Sequence, residues 1–63
     1  MNNKMKYYRN SQNMTQKECA KKLGIAVSTY NMIENNNRRV SLILAKRISN
    51  LFNKTIEEIF FAN

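Results

Sequence analysis

The residues best suited to chemistry in this sequence are cations. Arg38 and Arg39 close the run Asn35-Asn36-Asn37-Arg38-Arg39, and the chain as a whole carries eleven basic residues against four acidic ones, a formal charge of +7 in 63 residues. That balance favours a polyanionic partner over an acidic small molecule. Group-transfer and redox chemistry lack their residues. Histidine is absent and Cys19 is the one cysteine, so neither a zinc site nor an internal disulfide can be built, and no metal or cofactor is expected. Cys19 itself reads as a small buried hydrophobe rather than a nucleophile. A chain of this length reads as one domain, 1–63, at a size where burial is marginal. A deep substrate pocket does not fit such a chain, and an enzyme is not expected. No apolar run approaches the ~20 residues of a membrane span and no secretory leader opens the chain, so a cytoplasmic protein without a membrane partner is expected.

Helices must position these charges, because the apolar pattern has helical spacing and no strand period. Thr15 and Glu18 form a capping box, so a helix begins at Gln16 with Cys19, Ala20 and Leu23 on its apolar stripe and Lys17, Lys21 and Lys22 off it. Gly24, the only glycine, stands where that helix must stop in a left-handed conformation. Ile25 turns inward, and Tyr30 and Ile33 lie one turn apart on the next helix. Ala20 is small where two helices joined by a tight turn must touch. Before this pair, residues 1–3 are expected to fray. A first helix runs from Lys4 to about Gln12, with Met5 and Tyr8, joined by Ser11 or Gln12, on one face. Asn13 is a left-handed terminator and Met14 the outer half of a hydrophobic staple. After it, Asn35–Arg39 has turn chemistry. Ser41 caps a fourth helix to about Phe52, whose inward face is Leu42, Ala45, Ile48 and Phe52, flanked by Leu44 and Leu51. Asn53 ends it. Thr55 and Glu58 make a second capping box, opening a short fifth helix with Ile56, Ile59, Phe60 and Phe61. The expected fold is all-α, five helices, with no strands.

Counted from Gln16, apolar residues fall at places 4, 8, 10, 15 and 18, with alanine at place 5 and glycine at place 9. That is the helix-turn-helix pattern. From about Lys4 to Phe60 the chain resembles the Cro/repressor-type, or XRE, family of bacterial and phage DNA-binding regulators. The resemblance rests on Arg9, Thr15-Gln16, Ala20, Leu23-Gly24-Ile25, Ser28-Thr29, Ile33-Glu34-Asn35, Ser41-Leu42, Ala45, Ile48 and Glu58-Ile59-Phe60. No one of these is specific, but their joint spacing over nearly the whole length is.

The resemblance implies a lambda-repressor-like domain with its helix-turn-helix at the second and third helices. It implies that the third helix lies in the major groove and the second crosses the phosphate backbone. Val27, Ser28, Asn31 and Met32 would then face bases, with Thr29 at the margin. A serine hydroxyl donates or accepts, asparagine can read adenine bidentately, and valine or methionine can pack on a thymine methyl. Gln16 and Lys17 would meet phosphate at the start of the second helix, aided by its dipole. Asn35, Arg38 and Arg39 would grip the flanking backbone. Arg9 and Glu34 match an ion pair that is structural in the family.

The chain departs from the family pattern in places. Ala26 replaces the usual serine or threonine, so the third helix lacks a side-chain cap at a cost of about 1 kcal/mol. Val40 replaces a proline and Asn36 a glycine. The reading face holds no arginine, lysine or glutamine, which shifts specificity toward methyl contacts and DNA shape. Ile43 stands where relatives carry polar residues, and with Ile59 and Phe61 it implies a homodimer. Its recognition helices would lie about 34 Å apart on an inverted-repeat operator. The function implied is transcriptional repression by occupying a promoter. Double-stranded DNA is the expected partner, with regulation by expression level or a partner protein rather than a small-molecule effector. The alternative is an antitoxin-like or controller module acting through a partner protein.

Overall fold

Each helix of the computed structural model starts and stops where local chemistry requires it, and the structure describes residues 3–61. Thr15 accepts the Glu18 N–H while Glu18 accepts the Thr15 N–H, and α2 runs Gln16–Leu23 from that box. Ser41 accepts the Leu44 N–H and opens α4, Leu42–Phe52. Thr55 and Glu58 repeat the box ahead of α5, Glu57–Phe61, which is wound as a π-helix. The two remaining helices, α1 (Met5–Ser11) and α3 (Val27–Glu34), have no side-chain bond from their own N-cap residue. Among the described residues there are five helices and no strand.

Four of the helices end alike. Asn13, Gly24, Asn36 and Asn53 all have positive φ, between 55° and 70°. At each, the left-handed residue and its successor donate back into the preceding turn. Asn36 N–H bonds the Ile33 carbonyl and Asn37 N–H the Met32 carbonyl, and the same pair of bonds recurs at Asn13, Gly24 and Asn53. This closing motif satisfies carbonyls that a helix end leaves bare. Asparagine serves at three of the four sites because its short polar side chain tolerates the conformation best after glycine.

The core draws on every helix: Met5 from α1, Cys19, Ala20 and Leu23 from α2, Tyr30 and Ile33 from α3, Ile48 and Phe52 from α4, and Ile59 from α5. Met14, Ile25, Leu44 and Leu51 pack against it as half-buried neighbours. Contacts between helices are densest where α2 meets α3, as a helix-turn-helix requires.

Four expectations are corrected. Leu42, expected on the inward face of α4, is 77% exposed. It is the first residue of that helix, and its turn projects past the buried positions Ala45, Ile48 and Phe52. Ile59, expected at a dimer surface, is fully buried, because α5 folds back against α1, where the Lys4 N–H bonds the Ile59 carbonyl at 2.7 Å. Asn3, expected to fray, is tied down at both ends. Its Oδ1 accepts the Met5 N–H, and its Nδ2 donates to the Ile33 carbonyl at 2.9 Å and to Asn36 Oδ1 at 3.1 Å. The rest of the segment expected to fray, residues 1–2, lies outside the described residues. Of the residues expected on the inner face of α1, Ser11 and Gln12 are exposed. Gln12 instead donates Nε2 to the Phe52 carbonyl at the end of α4.

Candidate nucleic-acid interface

The third helix has two faces with different jobs. Tyr30, Ile33 and Glu34 are buried, so Val27, Ser28, Asn31 and Met32 are turned outward, with Thr29 half-buried between the faces. Val27 and Met32 leave 47% and 40% of their surface in solvent, which puts two apolar contacts among polar ones. The start of α3 is fixed without a cap: Ala26 is extended and makes no side-chain bond, so the helix begins at Val27.

The buried face is clamped by Glu34. Arg9 grips it with two bonds, Nε to Oε2 and Nη2 to Oε1, both 3.0 Å, and uses Nη1 on the Met14 carbonyl at 3.1 Å. The Glu34 side chain is 2% exposed and that of Arg9 12%, so this ion pair is largely shielded from water. Burial by itself would raise the Glu34 carboxyl, but the hydrogen bonds from Arg9 and Gln16, with the Tyr30 hydroxyl nearby, hold it below its ordinary value. The same bond to Glu34 raises Arg9, so the pair stays charged. Burial pushes up both the Tyr30 phenol and the Cys19 thiol beside it. The Tyr30 hydroxyl completes no hydrogen bond of normal geometry. A fully buried thiol of raised pKa is an unreactive core group.

Gln16 links the two helices of the motif. Its Nε2 donates to Glu34 Oε1 at 3.1 Å, and its Oε1 accepts from Asn31 Nδ2 at 3.2 Å. Asn31 Oδ1 in turn accepts from Asn35 Nδ2 at 3.2 Å. The start of α2, the middle of α3 and the first residue beyond it therefore form one continuous polar surface. Lys17 is exposed beside Gln16. Past Asn35 the chain turns at Asn36, where asparagine supplies the positive φ for which the family pattern uses glycine. Arg38 and Arg39 follow in the open, and among the described residues no carboxylate pairs with either.

Of the residues expected to face bases or meet phosphate, the structure joins Gln16, Asn31 and Asn35 directly, with the Arg9–Glu34 pair behind them, whereas Arg38 lines an apolar groove beside Ile33, Val40 and Phe60. Sequence reasoning missed Asn3 and the Gln16–Asn31–Asn35 chain. An asparagine two places ahead of a helix is a recognisable turn signal for the first. In the second, the Asn31–Asn35 bond spans one helical turn and has the i, i+4 spacing that signals it, but nothing local signals the bonds of Gln16, whose partners lie 15 and 18 residues away. Apolar surface gathers elsewhere: Leu42, Ile43 and Phe61 are 77%, 77% and 61% exposed. Leu42 and Phe61 rim a groove floored by Ile33, Val40, Ala45 and Phe60. Among the described residues no group of acidic, cysteine or histidine side chains could hold a metal, and no helix is long and apolar enough to cross a membrane.

Known proteins resemble the chain over nearly its whole length. The family model for helix-turn-helix proteins matches residues 5–59. An uncharacterized HTH-type transcriptional regulator of Methanocaldococcus jannaschii is 47% identical over 60 residues, covering 95% of this chain and 91% of the relative. Two uncharacterized HTH-type transcriptional regulators of Archaeoglobus fulgidus are 40% and 37% identical, each over 95% of this chain and 84% and 86% of their own lengths. The chain belongs to the XRE-type helix-turn-helix family of non-enzymatic, DNA-binding transcriptional regulators.

Proposed function

We propose that this protein is a sequence-specific repressor that binds an inverted-repeat operator as a homodimer, with α3 in the major groove. The observation that carries this reading is the outward face of α3, Val27, Ser28, Asn31 and Met32, joined through Asn31 to Gln16 and Asn35, with Lys17, Arg38 and Arg39 exposed on the surrounding elements. The central residues read base edges, with Thr29 at the margin. The surrounding ones hold phosphate, and the charge of +7 supplies the non-specific attraction on which reading is built. The Arg9–Glu34 pair fixes the angle of α3 without touching DNA.

Residues 1–63 act as one DNA-binding domain. The second copy docks through Leu42, Ile43 and Phe61, with Ile59 supporting that surface from within the core. Repression follows from occupancy of the promoter. The same apolar patch favours one second reading, a controller or antitoxin-like module whose patch receives a partner protein instead of its own copy.

Selection of bound duplexes from a random pool at about 150 mM salt, where phosphate-only binding is weakened, tests the proposal. An enriched palindrome with half-sites one helical turn apart is the expected result. Failure to enrich any sequence with the folded protein would overturn it in favour of the partner-protein reading.

A further inference from the structure

We infer that Gln16 and Asn35 are positioning residues that set the amide of Asn31 to read one adenine in each half-site, through a hydrogen-bond relay anchored on the Arg9–Glu34 pair. The inference rests on the proposal that α3 enters the major groove, and it assigns a base and a mechanism to one residue of that face.

Donor and acceptor polarity fixes the orientation of each amide. Arg9 can only donate, and an ionised Glu34 can only accept. Because Glu34 Oε1 must receive a proton donor from Gln16, the Gln16 amide turns its NH2 group inward, at 3.1 Å. Its carbonyl is thereby turned toward α3, where it can only accept. Asn31 must then offer its NH2 to Gln16, at 3.2 Å, which leaves Asn31 Oδ1 to accept from Asn35 at 3.2 Å. The orientation of an otherwise symmetric-looking amide is dictated link by link from a buried carboxylate that cannot change role. Asn35 is held in turn as the residue that ends α3, its N–H bonded to the Asn31 carbonyl at 3.0 Å.

Asn31 has two N–H groups and two carbonyl lone pairs. The relay consumes one of each and leaves one of each for the exposed side of the helix. A single donor beside a single acceptor matches adenine, which presents the N7 acceptor next to the N6 amino donor. It does not match guanine, whose N7 and O6 both accept, nor cytosine, whose edge offers only a donor. Gln16 keeps one N–H in hand, so its positioning role is compatible with its reaching a phosphate. An unconstrained asparagine would lose rotamer freedom on binding and could present its amide either way round. Here that ordering is done before DNA arrives.

The test compares selected operators and base-substituted ones for four proteins: the wild type, Asn31→Ala, Gln16→Leu and Asn35→Ala. The readout is the ratio of affinities for adenine and guanine at each half-site position, with thermal melting and non-specific binding measured alongside. The expected wild-type result is one symmetric position where adenine is preferred by about ten-fold or more. Asn31→Ala should erase that preference alone. Gln16→Leu and Asn35→Ala should each lower it at least three-fold at the same position, and Gln16→Leu combined with Asn31→Ala should lower it no further than Asn31→Ala does. A loss of affinity equal for all bases, as a phosphate contact or a folding defect would give, does not move this ratio. The positioning roles are overturned if Asn31→Ala erases the preference while Gln16→Leu and Asn35→Ala leave it intact. The adenine assignment is overturned if the position affected by Asn31→Ala prefers another base. A palindrome with no position sensitive to Asn31→Ala overturns the inference while leaving the proposed function standing. No enrichment at all overturns both.

Discussion

Replacing Arg9 by methionine isolates what the ion pair contributes, because it removes three hydrogen bonds while keeping an unbranched side chain of similar reach. Glu34 would retain Gln16 as donor but lose both arginine bonds, with its side chain only 2% exposed. Removing one partner of a buried pair costs about 3–5 kcal/mol, and the partial exposure of Arg9 with the surviving Gln16 bond places the expected loss at about 3 kcal/mol. Unfolding entropy near 2.1 cal/mol/K per residue gives about 0.13 kcal/mol per kelvin for 63 residues, so Tm should fall by roughly 20 °C.

The pH dependence is a sharper test. In the wild type the Glu34 carboxyl is held below its ordinary value of 4.5, so its contribution is fully present above that pH and is lost as pH falls through the folded-state value. Without Arg9, burial dominates and the carboxyl is raised. The folded state then prefers the protonated acid, and the variant should gain stability as pH falls from 7 toward 5. Histidine is absent from the chain, so no imidazole titrates in that window to obscure the change. Circular-dichroism melts of both proteins across pH 4–8 give the comparison. The double replacement Arg9→Met with Glu34→Leu should recover at least half of the lost stability. A Tm loss under about 5 °C, with the same pH profile in both proteins, would refute the reasoning that this pair anchors the third helix.

Four further outcomes are expected. Gly24→Ala should cost about 1–2 kcal/mol in denaturant unfolding, from the left-handed backbone alone, because the added Cβ would meet only Arg47 Nη2 at 3.8 Å, an ordinary contact. Ser28→Ala should cost about 1–3 kcal/mol on the operator and little on random DNA. Arg38→Ala should weaken both and lower the salt slope by about one, both read by fluorescence anisotropy across a salt series. Leu42→Asp with Phe61→Asp should leave a folded monomer at hundreds of micromolar in sedimentation, where the wild type is expected to sediment as a dimer; a wild type that is monomeric there with and without DNA would remove the dimer.

How much of this was legible beforehand divides by the range of the interaction. Capping boxes at Thr15/Glu18 and Thr55/Glu58, the cap at Ser41 and the left-handed stops at Asn13, Gly24 and Asn53 are bonds between residues a few places apart. Backbone sterics and short polar side chains settle them before any tertiary contact forms, so the residue types alone place all five helices. The spacing of Ala20, Gly24, Tyr30 and Ile33 likewise carries the helix-turn-helix, because packing one amphipathic face on another leaves few arrangements.

Tertiary structure decided the rest. Leu42 has the periodicity of a core residue, yet it stands at the edge of a groove shared with Phe60 and Phe61 of α5 and is left 77% exposed. Ile59 has the chemistry of either a core or a surface contact, and its complete burial in the packed core shows which. Asn3 reaches Ile33 and Asn36, and Gln16 reaches Glu34 and Asn31, across separations of 15 to 33 residues. Side chains that distant meet only at one crossing angle of the helices that carry them. Helical periodicity specifies which face is buried but not that angle, so the polar relay behind the reading face exists only once the core has packed.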